Sequence, residues 1–221
     1  MSDPVYKAYQ QWAITYDQQV NPTRDLSTAV LKQLVPDLSD LAIVEAGCGT
    51  GLNTRWLSQD CASLLALDYS DSMLAKAKKK INQPHVQFRK HDLRHPWPVG
   101  TGAIDLVVIN LVLEHIDPLT DVFQHAITVM KPSAHLIITE YHPDLVATGL
   151  GARIDKGDEE AEAVSNYWHP VETYTQISKA LSLQVEKVQH WRETLGEDGL
   201  PVETNVEPLL LSLVLRKKND G

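Results

Sequence analysis

Two carboxylates and three glycines in this chain have the types and spacing needed to hold a sugar. Glu45 and Asp68 lie at the ends of two apolar runs, Ile43-Val44-Glu45-Ala46 and Leu64-Leu65-Ala66-Leu67-Asp68, and Gly47, Gly49 and Gly51 follow the first at alternate positions. Glycine permits backbone dihedrals that a side chain would forbid and lets a ligand lie against the main-chain amides. A strand, a glycine turn, a helix and a second strand ending in an acid is an arrangement that grips a ribose by both hydroxyls. A dinucleotide fingerprint requires G-x-G-x-x-G, and here Leu52 occupies the third glycine place while Gly51 stands one residue early. The spacing therefore disfavours a nicotinamide oxidoreductase.

On this pattern, acid-x-G-x-G-x-G, the chain resembles the class I S-adenosylmethionine-dependent methyltransferases. The resemblance continues through Asp68-Tyr69-Ser70-Asp71-Ser72-Met73-Leu74, His91-Asp92-Leu93, the run from Asp105 to His115, and Met130-Lys131-Pro132, covering residues 38–142. It implies S-adenosylmethionine as cofactor, S-adenosylhomocysteine as product, and no metal. It also implies roles for particular residues. Glu45 would meet the cofactor's amino group, and Asp68 both ribose hydroxyls. Tyr69 and Met73 would enclose the adenine, with Asp92 and the Leu93 amide at its polar edge. Asn110, Leu111 and Tyr16 would line the methionine end, with Gly47 and Gly49 forming the cradle.

The acceptor side is less patterned. Nine histidines are present, and an imidazole can take a proton from a hydroxyl near neutral pH. His142 and His169 are the candidate catalytic bases because they flank an irregular segment. His115, Tyr141, Tyr167 and Trp168 are the candidate substrate contacts. A metal site at His142, Asp144 and His169 lacks compact ligand spacing.

These residues require particular elements to position them. Val5, Tyr9, Trp12 and Tyr16 recur at helical spacing and predict an N-terminal helix through Tyr16, followed by a second around Leu26, Val30 and Leu34. Strands are expected at residues 41–46, 63–68, 86–88, 104–109 and 136–138, with two more at 183–191 and 208–217. Ser70 is the expected N-cap of the helix after Asp68, and Asp117-Pro118 the expected start of another. The resulting fold is α/β, a Rossmann-like doubly wound sheet with helices on both faces. The resemblance adds seven strands, mostly parallel, with the last antiparallel. One domain over 1–221 is expected, with a helical cap at 1–36, a cofactor core at 38–142, a substrate lid at 143–170, and a helix and strand pair at 171–221. The lid expectation rests on the length of the segment and on Gly149, Gly151 and Gly157, which punctuate it.

A chain of 221 residues with 43% apolar residues suits a single globular domain. A net charge of −9 argues against a phosphate backbone as partner. Cys48 and Cys61 do not form a disulfide framework, and the start Met1-Ser2-Asp3-Pro4 lacks the pattern of a signal peptide. A cytoplasmic protein is expected, monomeric or homodimeric, without nucleic-acid or membrane partners. The leading functional expectation is methyl transfer to a small molecule with an oxygen nucleophile. A methyltransferase acting on protein or tRNA, or a binding protein that holds the cofactor without catalysis, would carry the same loop.

Overall fold

The computed structural model describes residues 4–154, 162–196, 200–203 and 207–219. Seven strands form one sheet: β1 (Ala42–Ala46), β2 (Ser63–Asp68), β3 (Val86–Lys90), β4 (Ile104–Asn110), β5 (Met130–Tyr141), β6 (Leu183–Trp191) and β7 (Leu210–Lys217), in the order β3-β2-β1-β4-β5-β7-β6. The first five are parallel, and β7 runs antiparallel to both of its neighbours. The strand order reverses between β1 and β4, the chain having built outward from β1 to β3 before it crosses to β4. A crevice must open there at the carboxyl ends, because the connections leave in opposite directions.

Helices cover both faces, as the near-continuous apolar content of β1 and β4 demands. Alternate residues serve opposite layers. Val44, Ala46, Val107 and Ile109 pack with Phe123 of α5 (Thr120–Val129) and Tyr174 of α7 (Val171–Ala180). Ile43, Leu106 and Val108 pack with Leu31 of α2 (Pro22–Leu34), Leu57 of α3 (Thr54–Leu57) and Leu74 of α4 (Asp71–Lys80).

Local signals set several helix ends. Asn21 caps α2 by accepting the Arg24 amide at 2.9 Å, with Pro22 in the first turn. Ser70 caps α4 as expected, and Lys78, Lys79 and Lys80 lie at its negative end. Two expectations fail. Helix α1 (Pro4–Trp12) stops short of Tyr16, because Arg24 takes the carbonyls of Tyr16 at 2.7 Å and Gln19 at 3.2 Å and folds this stretch into turns against α2. Helix α5 begins at Thr120 rather than at Pro118, and its N-cap is Leu119, without a side-chain bond.

The expected lid contains order. It holds α6 (Pro143–Ala147) and a two-stranded ribbon, Arg153–Ile154 with Glu162–Ala163. Ala152 and Val164 pack with Trp12 of α1 and Met73 of α4. Gly157 and the acidic run at 158–160 lie outside the described residues. Among the described residues no helix is long and apolar enough to cross a membrane.

Candidate active site

A cleft of about 1050 Å3, counting its solvent-filled mouth, opens at the ends of β1, β2 and β4. Its floor is the glycine loop. The amides of Gly47 and Cys48 both donate to the Leu67 carbonyl, at 2.8 and 2.9 Å, and so tie the loop to β2. Gly47 adopts φ +84°, and a β-carbon there would lie 2.2 Å from the Val112 side chain. Gly49 adopts φ +53°, and its absent β-carbon would meet open space. The first glycine is thus required by packing, the second by backbone conformation and by the free wall it leaves.

Asp68 faces this loop. One carboxylate oxygen accepts the Gly49 amide at 2.7 Å and the other the Ser70 amide at 2.8 Å. Each oxygen keeps acceptor capacity for one further donor. Burial pushes the carboxyl up to about 6, with those amides working against the rise.

Asn110 ends β4 on the cleft wall. Its amide nitrogen donates to Ser27 Oγ at 3.2 Å, and its Oδ1 is buried without a hydrogen-bond partner among the described residues. An orphaned acceptor is costly unless something else supplies a donor. Leu111 follows with φ +55°, unusual for a branched side chain, and donates its amide to Thr139 at 2.8 Å.

The mouth is aromatic and charged. Tyr69 packs edge-on to Tyr6 with ring centroids 5.0 Å apart, and Met73 is buried on the same wall. Burial works to raise the Asp92 carboxyl, but Arg94, at 2.7 Å, holds it below its usual range. Leu93 lines the cleft beside them. Tyr16 closes the opposite end, with the Arg24 guanidinium 5.3 Å above its ring; burial, offset by Arg24, pushes its phenol up to about 12.

The structure places several of the expected site residues off the cleft wall. Glu45 does not line the cleft: its carboxylate lies beneath the loop, accepts the Thr54 hydroxyl, and is pushed up to about 8, chiefly by burial. Neither His142 nor His169 lines the cleft. His142 caps α6 by accepting the Asp144 amide at 3.2 Å and shares a 2.7 Å contact with His190, while His169 bonds the Ile116 carbonyl at 2.9 Å. Both rings therefore hold partners within the chain, away from the cleft wall. Tyr141, Tyr167 and Trp168 also lie off the cleft wall, the last two being 47% and 57% exposed. His115 does line it.

Sequence reasoning missed Arg24, Arg94, Tyr9 and Glu140. Glu140, on β5, accepts the amides of Val112 at 3.0 and 3.1 Å and of Leu113 at 3.1 Å, and so clamps the turn after β4. No local signal marks it, since the turn it holds is distant in sequence. Arg24 sits next to Asp25 in the first turn of a helix, where it reads as an ordinary surface pair.

Fold and cleft together define a Rossmann-like α/β protein with a cleft at the topological switch point of its sheet. The orphaned Asn110 oxygen, the paired acceptors of Asp68 and the open wall at Gly49 fit a molecule with a ribose diol and an ammonium group, which S-adenosylmethionine is. A family model described as a methyltransferase domain matches residues 44–138. An uncharacterized methyltransferase of Emericella nidulans is 27% identical over 202 residues, covering 75% of this chain and 70% of that protein. A malonyl-[acyl-carrier protein] O-methyltransferase of Halalkalibacterium halodurans is 31% identical over 112 residues, covering 47% of this chain and 40% of that protein. The chain thus spans less than half the length of that second relative.

Solved structures share the fold. A putative S-adenosylmethionine-dependent methyltransferase from Listeria monocytogenes aligns with TM-score 0.73 at 22% identity, covering 87% of this chain and 98% of that one. The N-methyltransferase NodS from Bradyrhizobium japonicum, in complex with S-adenosyl-L-homocysteine, aligns with TM-score 0.71 at 16% identity, covering 98% of this chain and all of that one (100%). Residues 44–138 thus match a methyltransferase domain, and the fold is the one that solved S-adenosylmethionine-dependent methyltransferases share.

Proposed function

We propose that this protein transfers the methyl group of S-adenosylmethionine to an oxygen atom of a small-molecule acceptor. When bound, the cofactor supplies an electrophilic methyl carbon and takes the C–S electron pair onto sulfur. The chain supplies alignment, exclusion of water and a destination for a proton. Asp68 accepts the ribose hydroxyls, and Asn110 Oδ1 accepts from the ammonium. Arg24, on the wall at the Tyr16 end, is the cation for the carboxylate. Asp92 and the Leu93 amide address the adenine edge, and Tyr69 and Met73 its faces.

The observation that carries this reading is the buried, unpartnered Asn110 oxygen on the cleft wall. The acidic balance of the chain supports a small acceptor over a nucleic acid. The O-methyltransferase activity in the name of the Halalkalibacterium relative supports oxygen. The described parts of 143–170, in which Ala152 and Val164 pack on Trp12 and Met73, are the candidate lid.

Titration calorimetry with S-adenosylhomocysteine tests the cofactor part. Wild type should bind, and Asn110→Leu, close in size but without the acceptor, should bind at least tenfold more weakly at an unchanged melting temperature. Equal binding by the two proteins would overturn the role of Asn110. Failure of wild type to bind would overturn the function.

A further inference from the structure

His115 lies on the cleft wall between two partners that fix its chemistry. Its Nδ1 is 3.0 Å from the Ser165 carbonyl, which can only accept, so Nδ1 carries the proton. In the neutral ring Nε2 is then bare, and the Tyr9 hydroxyl, 2.8 Å away, donates to it. Tyr9 also lines the cleft, which leaves its oxygen available as an acceptor there.

Behind this pair stands Glu114. It is 4% exposed, and among the described residues neither oxygen has a hydrogen-bond partner at good geometry, with the Ala152 amide lying nearby. One of them lies 3.5 Å from His115 Nε2, too far for a hydrogen bond but close enough to feel a charge. A buried carboxyl left without bonds needs an explanation. An imidazolium at His115 would bring a positive charge 3.5 Å from the nearer oxygen, while its Nε2 proton stays on the 2.8 Å line to Tyr9 Oη. Burial first, then the charge of Glu140, push the Glu114 carboxyl well up, with the Ala152 amide offsetting part of the rise. A carboxyl raised in this way ionises more readily when a positive charge forms beside it.

We infer that Tyr9, His115 and Glu114 form a proton relay that selects an uncharged hydroxyl as the methyl acceptor. This rests on the methyltransferase reading and deepens it. The acceptor hydroxyl gives its proton to Tyr9 Oη as Tyr9 passes its own proton to His115 Nε2. The electron pair freed on the acceptor oxygen forms the new O–C bond with the methyl carbon, and the pair of the broken C–S bond stays on sulfur. His115 ends positively charged against Glu114. A carboxylate acceptor has no proton to lose and would leave the relay idle. Tyr9 is the catalytic residue that touches the acceptor, and His115 accepts the proton. Glu114 is a positioning residue that acts through His115.

The first test needs no substrate. Nitrogen-15 NMR of histidine-labelled protein should show His115 as the Nδ1–H tautomer, and Glu114→Gln should lower its titration midpoint by about one pH unit. An Nε2–H tautomer, or an unmoved midpoint, overturns the relay. The second test offers phenols, aliphatic alcohols and carboxylic acids with labelled S-adenosylmethionine. Hydroxyl compounds should be methylated in preference to carboxylates. Tyr9→Phe and His115→Gln should each lower kcat on the best acceptor by about 10²-fold or more, with S-adenosylhomocysteine affinity retained. A preference for carboxylates, or wild-type turnover in both variants, overturns the proposal. Should no compound be methylated, the tautomer and the titration decide. Loss of S-adenosylhomocysteine binding by wild type would strike the cofactor reading and leave the NMR result standing.

Discussion

The Asp68 carboxylate accepts the Gly49 amide at 2.7 Å, so the acid at the end of β2 and the loop after β1 form one unit. The group that would receive a ribose also fixes the backbone over which the ribose would lie. Damage to either should register in the other.

Asp68→Ala should therefore weaken S-adenosylhomocysteine binding by at least tenfold in calorimetry. It removes charge-assisted bonds worth about 1.5–3 kcal/mol each and releases the Gly49 amide. Because the Asp68 carboxyl is pushed up to about 6, wild-type affinity should also fall as pH drops through that value. An affinity flat from about pH 5 to 8 would contradict a ribose contact at this carboxylate.

Gly47→Val should be worse than Cys48→Ala. Any β-carbon at Gly47 strikes Val112 and must also adopt φ +84°, whereas Cys48 only fills a buried space. Thermal melts should show Gly47→Val several degrees below Cys48→Ala. Gly49→Val, with open space at its β-carbon, should keep more stability than Gly47→Val and lose more cofactor affinity than Cys48→Ala.

Glu45 carries a stability signature. Its folded carboxyl, at about 8, binds protons more tightly than the ordinary value of 4.5. A raised acid contributes stability that is present below its unfolded value and lost as pH rises through the folded one. Glu45→Gln keeps a neutral side chain at every pH. Its melting temperature should gain on wild type between about pH 5 and 8, and a constant difference would show Glu45 to be unperturbed.

Glu140→Ala should leave two amides of the post-β4 turn without their acceptor, at a cost of about 1–3 kcal/mol for each that stays buried. The turn includes cleft residues, so cofactor affinity should fall along with the denaturation midpoint. His142→Ala should lower stability through the lost α6 cap and leave turnover intact. A loss of turnover at an unchanged melting temperature would restore His142 to the chemistry.

Spacing along the chain determined the strand–glycine–helix–strand unit, the place of Asp68, and the cap at Ser70. Each depends on residues a few positions apart, whose dihedral preferences and apolar periodicity act locally. The two-layer core was legible for the same reason, since alternation along β1 and β4 assigns each side chain to a face. What lay between distant segments was not legible. Arg24 shortened α1 by capturing carbonyls of the preceding turn, and Glu140 reached back from β5 to hold Val112 and Leu113. His142 and His169, symmetric in sequence around the presumed lid, were drawn to His190 and to the Ile116 carbonyl, away from the cleft. Tyr9, which reads as one apolar position in a helical stripe, was delivered to His115 by the packing of α1 over the cleft. Local pattern sets which elements form and which face each residue takes; which polar groups meet is decided only when those elements close on one another and every buried donor must find an acceptor.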